Sequence, residues 1–228
     1  MPPPALKIPP LEFIAVEILY ASVIFITCFL AYRRLREMYK ISDYRSLHFF
    51  SNTFLFIGLA YFLRFIVEMF YASGLLFEEI SFNDIRALMV LSFIFLTYAS
   101  SAAMLYTIYS LMWKWTEKLP EEFFIHVISI ILALTAIILR SPKIIVLSQI
   151  TLMLLLVIAI LINYRNYRAE TGKGFFKRVY PLYILLFLFW LLNILLIFGF
   201  LPPWFRIAIY VLSISIILLT CFRILTKL

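Results

Sequence analysis

The sequence predicts an all-α membrane protein, a bundle of seven transmembrane helices with an external N-terminus and a cytoplasmic C-terminus. Three observations carry this. The chain is 65% hydrophobic and 14% charged, against about 25% charged residues in soluble domains. Apolar runs of about 20 residues, the length that spans hydrocarbon, recur along all 228 residues. Lys and Arg gather in alternate connections, as they do in cytoplasmic loops.

The elements follow in chain order. Residues 1–10, with Pro2, Pro3 and Pro4 in a row, have no basic region ahead of an apolar stretch and no cleavage site after it, so they read as a short extended external tail and not a signal peptide. The membrane domain, 11–228, holds the spans. The first, 11–31, ends at the basic run Arg33, Arg34 and Arg36. The second, 48–71, is interrupted by Arg64 and Glu68, and the third, 87–113, is closed by Lys114. Pro120, Glu121 and Glu122 mark a helix start, with acids at the positive end of the helix dipole, and open a short fourth span, 121–139. Pro142 opens the fifth, 143–164; the sixth is 180–198; Pro202 and Pro203 open the seventh, 203–222.

Orientation rests on charge. An external N-terminus places Arg33, Arg34, Arg36, Lys40, Arg45, Lys114, Lys118, Arg165, Arg168, Lys173, Lys177, Arg178, Arg223 and Lys227 inside, and leaves Lys7, Arg86, Arg140, Lys143 and Arg206 outside. The formal net charge of +8 therefore resides on the inner face, where it acts as a topology signal and meets anionic lipids. Nucleic-acid binding would need a basic domain in water, and the pattern has none. The expected location is the cell membrane, as a multi-pass protein.

The first three helices align with the last three. Tyr32-Arg33-Arg34-Leu35-Arg36 matches Tyr164-Arg165-Asn166-Tyr167-Arg168, and Arg45 matches Lys177 at the same spacing. After a shift, Leu59 to Arg64 falls on Leu188 to Asn193. An odd helix between two such units gives both the same orientation, a 3+1+3 parallel internal repeat of the kind some transporters contain. Membrane hairpins with basic inner turns share part of this pattern without being repeats.

Ionisable groups inside spans are costly and mark the place to seek function. Arg64 and Glu68 lie one turn apart on one helix face. In an antiparallel hairpin of the first two helices, Glu17 falls at nearly the depth of Arg64 and can pair with it. Asn193, the repeat partner of Arg64, sits at comparable depth and can hydrogen-bond across a helix interface. Glu17, Arg64, Glu68 and Asn193 are thus the candidate cluster, either a structural lock or the lining of a ligand cavity in the outer half.

Other features read as structural. His48 and His126 start spans at the inner side and, with Cys28 and Cys221, form the only soft-ligand set, but no pair shows a ligand spacing; no metal or cofactor is expected. Trp113, Trp115, Trp204, Tyr71 and Tyr180 fall near span ends as an interfacial belt, whereas Trp190 lies mid-span. The small run Ala99-Ser100-Ser101-Ala102-Ala103 marks the third helix as a close-packing one. The seventh helix has no Lys for a retinal Schiff base. There is no Ser/His/Asp or Cys/His set, Gly-rich phosphate loop or zinc-protease motif, so the chain reads as non-catalytic. With 5 glycines in the whole chain, broken helices and re-entrant filters have little support.

The inner Tyr/Arg turn followed by an apolar helix, with seven spans and an external N-terminus, resembles the seven-helix membrane sensor modules found ahead of prokaryotic histidine kinases. That resemblance implies a ligand-sensing or partner-binding bundle; no kinase or cyclase domain accompanies it here, so the output would lie on another chain. The SWEET sugar transporters share the three-plus-one-plus-three layout, but neither repeat here has a Pro-Gln motif. The expected function is a sensor bundle or a structural subunit of a membrane complex, with a membrane protein partner. The alternative is a small-solute transporter or channel with a path between the repeats.

Overall fold

A computed structural model describes residues 11–77, 82–113, 121–139, 142–169, 175–197 and 201–227. The Pro-rich tail 1–10 lies outside them, as do several loop charges used for orientation, including Lys114, Lys118, Arg140 and Lys173. Seven helices follow in order: α1 (Leu11–Ser42), α2 (Arg45–Phe77), α3 (Phe82–Met112), α4 (Glu121–Ile138), α5 (Pro142–Ala169), α6 (Phe175–Ile197) and α7 (Pro203–Lys227). Among the described residues there is no strand.

Where the helices end differs from where the apolar runs end. α1 continues past Ala31 through the basic run to Ser42, because Arg, Leu, Met and Lys are good helix formers once water is available to their charges. It stops at Asp43, which takes φ 50° and donates its amide to the Tyr39 carbonyl at 2.8 Å. This is a left-handed C-terminal cap, a conformation that Asp adopts more readily than most residues. The connection to α2 is therefore only Asp43 and Tyr44. α6 likewise begins at Phe175, ahead of Tyr180, and carries Pro181 inside the helix.

Six helices are long and apolar enough to cross a membrane: Phe13–Ser42, Arg45–Gly74, Val90–Met112, Ile144–Tyr164, Val179–Leu196 and Pro203–Thr226. The apolar part of α4, Glu122–Thr135, falls short of that length. The 18 residues of α4 extend about 27 Å at 1.5 Å per residue, close to the roughly 30 Å of a hydrocarbon core. Large apolar side chains such as Leu19, Ile26, Leu154, Leu161 and Phe222 point outward. On a water-soluble protein this much exposed apolar surface would mark a binding face; on these helices it faces lipid. The protein is a multi-pass membrane protein.

Six helices form a closed ring. α1 packs on α2, α2 on α3, α3 on α5, α5 on α6, α6 on α7 and α7 back on α1, while α4 lies outside the ring against α3 and α5. Ala99, Ser101, Ala102 and Ala103 on α3 are fully buried, and their small size lets α2 and α5 approach. In the half where α2 and α6 begin, the ring is filled by Phe50, Phe54 and Tyr183, with Phe50 and Tyr183 ring centroids 4.9 Å apart. Hydroxyl contacts join the same half: Ser46 donates to the Ser110 carbonyl at 2.7 Å, Ser110 bonds Tyr183, and Thr53 meets Thr107 at 3.2 Å. This is also the half with the basic helix ends.

Close approach of α1 and α2 centres on Gly58. A Cβ added there would meet Cys28 Cβ at 3.4 Å and the Phe25 carbonyl oxygen at 3.9 Å. One methyl fits and a longer side chain does not. Gly58→Ala is expected to leave thermal stability equal to or above wild type, since Gly in a helix interior costs about 1 kcal/mol relative to Ala. Gly58→Leu is expected to lose about 1–3 kcal/mol by overpacking. Equal midpoints for the Ala and Leu variants would show that the two helices do not meet here.

Candidate functional site

The opposite half, where α1, α3, α5 and α7 begin, holds the polar cluster. Arg64 Nη2 lies 3.4 Å from Glu17 Oε1, with the two side chains 24% and 16% exposed, so this pair is mostly withdrawn from the surface. Tyr210 of α7 donates its hydroxyl to the same Glu17 oxygen at 2.6 Å. The Arg64 guanidinium carbon also stands 5.6 Å from the Tyr20 ring centroid, a cation–π contact that offsets part of the cost of removing that charge from water. Glu68 lies one turn beyond Arg64 on the same helix.

Asn193 joins through tyrosines. Its Oδ1 accepts from Tyr20 at 2.9 Å and from Tyr61, and its Nδ2 donates to the Phe189 carbonyl at 2.8 Å. The two tyrosine oxygens are themselves 3.0 Å apart, so two protons serve three close oxygen contacts. The structure thus brings Glu17 and Arg64 into direct contact, reaches Asn193 through Tyr20, and leaves Glu68 one turn away from Arg64 on α2. The cluster ties α1, α2, α6 and α7 together at one depth.

Sequence reasoning missed Tyr20, Tyr61 and Tyr210. A signal existed for two of them, because Tyr20 is three residues from Glu17 and Tyr61 three from Arg64, the spacing that shares a helix face. Tyr210 has no such neighbour, and only the packing of α7 on α1 brings it in.

Beside the cluster, a cavity of about 360 Å³ opens between α2, α3, α5 and α6. Arg64, Glu68 and Asn193 line one wall; Thr97, Ser100 and Gln149 line the other. Gln149 donates to Ser100 at 3.2 Å and Ser101 at 3.1 Å, which fixes its amide. The rest of the lining is apolar or aromatic, including Phe93 and Trp190. Trp190 is 6% exposed, and its indole Nε1 is buried without a hydrogen-bond partner among the described residues.

The histidines stand elsewhere and apart. His48 places Nε2 2.6 Å from Glu122 of α4, with Arg36 bonded to its Nδ1. Because Arg only donates, Nδ1 must accept, and the Nε2 proton goes to Glu122. His126 lies between two tyrosines, Tyr98 at 2.9 Å and Tyr106 at 3.1 Å. Both arrangements dock α4 on the ring. Cys28 and Cys221 are buried free thiols, and among the described residues no three His, Cys, Asp or Glu side chains gather as a metal site would require.

No family model matches the chain, and no solved structure matches it. A protein of Archaeoglobus fulgidus, described as an uncharacterized protein, is 57% identical over 230 residues and is aligned over 100% of both chains. The alignment spans every helix of the bundle. The chain belongs to the same family as this archaeal protein.

Proposed function

We propose that the protein is a non-catalytic, seven-span ligand-binding bundle, a sensor whose ligand enters the cavity between α2, α3, α5 and α6. The observation that carries this is the cavity itself, a mostly apolar space of about 360 Å³ with Arg64, Glu68 and Asn193 placed at one edge. Ligand sites have this make-up, an apolar body with a few convergent polar groups. In this reading α4 is the seventh span, the start of α1 is external, and the basic helix ends meet the cytoplasmic leaflet and its anionic lipids. The cavity then lies in the outer half. The same features fit the resemblance to sensor modules, with output through a membrane partner.

A cavity ligand stabilises the folded state by mass action, by about 2.7 kcal/mol at a hundredfold excess over Kd. A small-molecule screen by thermal unfolding is expected to find compounds that raise the midpoint of wild type but not of Ala60→Leu, a substitution in the cavity wall. If every stabilising compound acts equally on both proteins, the cavity is not the site.

A second reading, small-solute transport, is favoured by where the cavity lies. It is lined by α2 and α3 on one side and α5 and α6 on the other, that is, by both three-helix units, and the ring order is the one a twofold relation between those units would produce. Proteoliposomes with wild type and Arg64→Leu test it: solute flux above empty liposomes, reduced in the variant, supports transport, and no flux across a broad solute set removes it.

A further inference from the structure

We propose that the cavity takes an aromatic ligand with an ammonium group at Glu68 and a neutral N–H or O–H donor at the Gln149 side-chain oxygen. This rests on the ligand-binding reading above and names its ligand class. Hydrogen-bond capacity is the first argument. The Ser100 hydroxyl donates to the Thr97 carbonyl at 3.1 Å, so its proton is spent and it can only accept from Gln149, 3.2 Å away. The Gln149 atom on that side is therefore the donor Nε2, whose second proton goes to Ser101 at 3.1 Å. Oε1 is left as an acceptor that no donor among the described residues reaches. Gln149 lines the cavity at 4% exposure, and its Oε1 is not among the unpartnered atoms sealed by protein. That oxygen therefore opens on the cavity, where a ligand donor satisfies it.

Charge is the second argument. Arg64 turns to Glu17, which also takes the Tyr210 hydroxyl. Glu68, half-buried in the cavity wall, forms no ion pair among the described residues. Glu17, Arg64 and Glu68 together set two carboxyls against one guanidinium. An anionic ligand enlarges that surplus and a neutral one leaves it, whereas one ammonium beside Glu68 cancels it. Charge inside a span is costly without such a partner.

Distance is the third. Thr53 of α2 meets Thr107 of α3, so in this antiparallel pair Glu68 stands about level with Ser92. Gln149 stands level with Ser100 and Ser101, which it touches. At 1.5 Å per residue the two groups are about 12 Å apart in depth at the backbone, and their side chains lean toward each other, each toward its own helix start. One nitrogen does not reach both. Two hydrogen bonds of about 2.9 Å with a ring and a two-carbon arm between them span the gap. An apolar cavity of about 150 Å³ accepts benzene, so about 360 Å³ has room for a fused ring and its arm. Phe93, Leu96, Trp190 and Ile194 are in the lining and supply apolar and aromatic contacts for it.

The test uses the full chain in nanodiscs of zwitterionic lipid, with empty nanodiscs as the blank. Tryptamine, which has both donors, is compared by equilibrium dialysis with 3-ethylindole, which lacks the ammonium, and 1-methyltryptamine, which lacks the ring N–H. Tryptophan adds a carboxylate, and indole-3-propionate puts one in place of the amine. Tryptamine is expected to bind tightest, at least tenfold above 3-ethylindole and about fivefold above 1-methyltryptamine, the worth of one neutral hydrogen bond. Glu68→Gln is expected to remove the preference over 3-ethylindole and keep the other; Gln149→Met is expected to do the reverse. Any other probe binding wild type as tightly as tryptamine, or either preference surviving in its own folded variant, would overturn the proposal. The wild-type comparison decides even if neither variant folds. If none of the probes binds while the thermal screen still yields compounds sensitive to Ala60→Leu, the ligand class is wrong and the cavity reading stands. If both fail, the cavity reading fails and this proposal with it.

Discussion

Arg64→Leu is expected to destabilise the bundle by about 3–5 kcal/mol, the cost of leaving the other member of a buried ion pair without its counter-charge. In wild type Glu17 is only 16% exposed and receives both Arg64 at 3.4 Å and the Tyr210 hydroxyl at 2.6 Å. With Leu at 64, the Glu17 carboxylate keeps the tyrosine and loses its only cation among the described residues. Glu17→Gln alone strands the guanidinium in turn, against Tyr20 and whatever Glu68 supplies. The double variant Glu17→Gln/Arg64→Leu has no charged partner left over from the pair, so it is expected to be more stable than the sum of the single losses predicts. Unfolding of the purified protein in one detergent, all four proteins side by side, measures the coupling. Strictly additive single effects would mean that the two groups do not act as a pair.

Asn193→Leu is the second large effect, about 2–4 kcal/mol, because it removes the shared acceptor of two buried tyrosine hydroxyls at about 1–3 kcal/mol for each group left unsatisfied. The loss stays below twice the upper figure, since Tyr20 and Tyr61 oxygens are 3.0 Å apart and one can turn its proton to the other. Adding Tyr61→Phe to Asn193→Leu is expected to recover part of the loss by deleting the stranded donor. A change within about 0.5 kcal/mol of wild type, the range of an ordinary surface substitution, would show that the Asn193 contacts contribute nothing to stability.

The all-helical membrane architecture was legible because hydrocarbon imposes a simple demand, long apolar helices with satisfied backbones, and this leaves a plain composition signature. Helix ends were less legible for the same reason. The apolar run of α1 stops at Ala31, but the helix runs on to Ser42, since the hydrogen-bond ladder continues into water as easily as in lipid. Glu17, Arg64, Glu68 and Asn193 stood out as polar residues in apolar runs, and hairpin geometry placed the first two at one depth. Tyr210 and Gln149 did not stand out, because their roles depend on which helices are neighbours around the ring. The pairing of α7 with α1 and of α3 with α5 is a tertiary fact that periodicity does not encode. The cavity is of the same kind: it is the space left where α2, α3, α5 and α6 do not fill the ring, and no single segment announces it.

Access to that cavity from the outer face most directly tests whether it is a ligand site. A single cysteine at Leu96, a half-buried wall residue, is introduced into a Cys28→Ala/Cys221→Ala chain and exposed to a small, membrane-impermeant thiol reagent from either side of oriented membranes. Labelling from the outer face and protection by a cavity ligand are expected. Absence of labelling in the folded protein, or labelling from the cytoplasmic face alone, would contradict that reading.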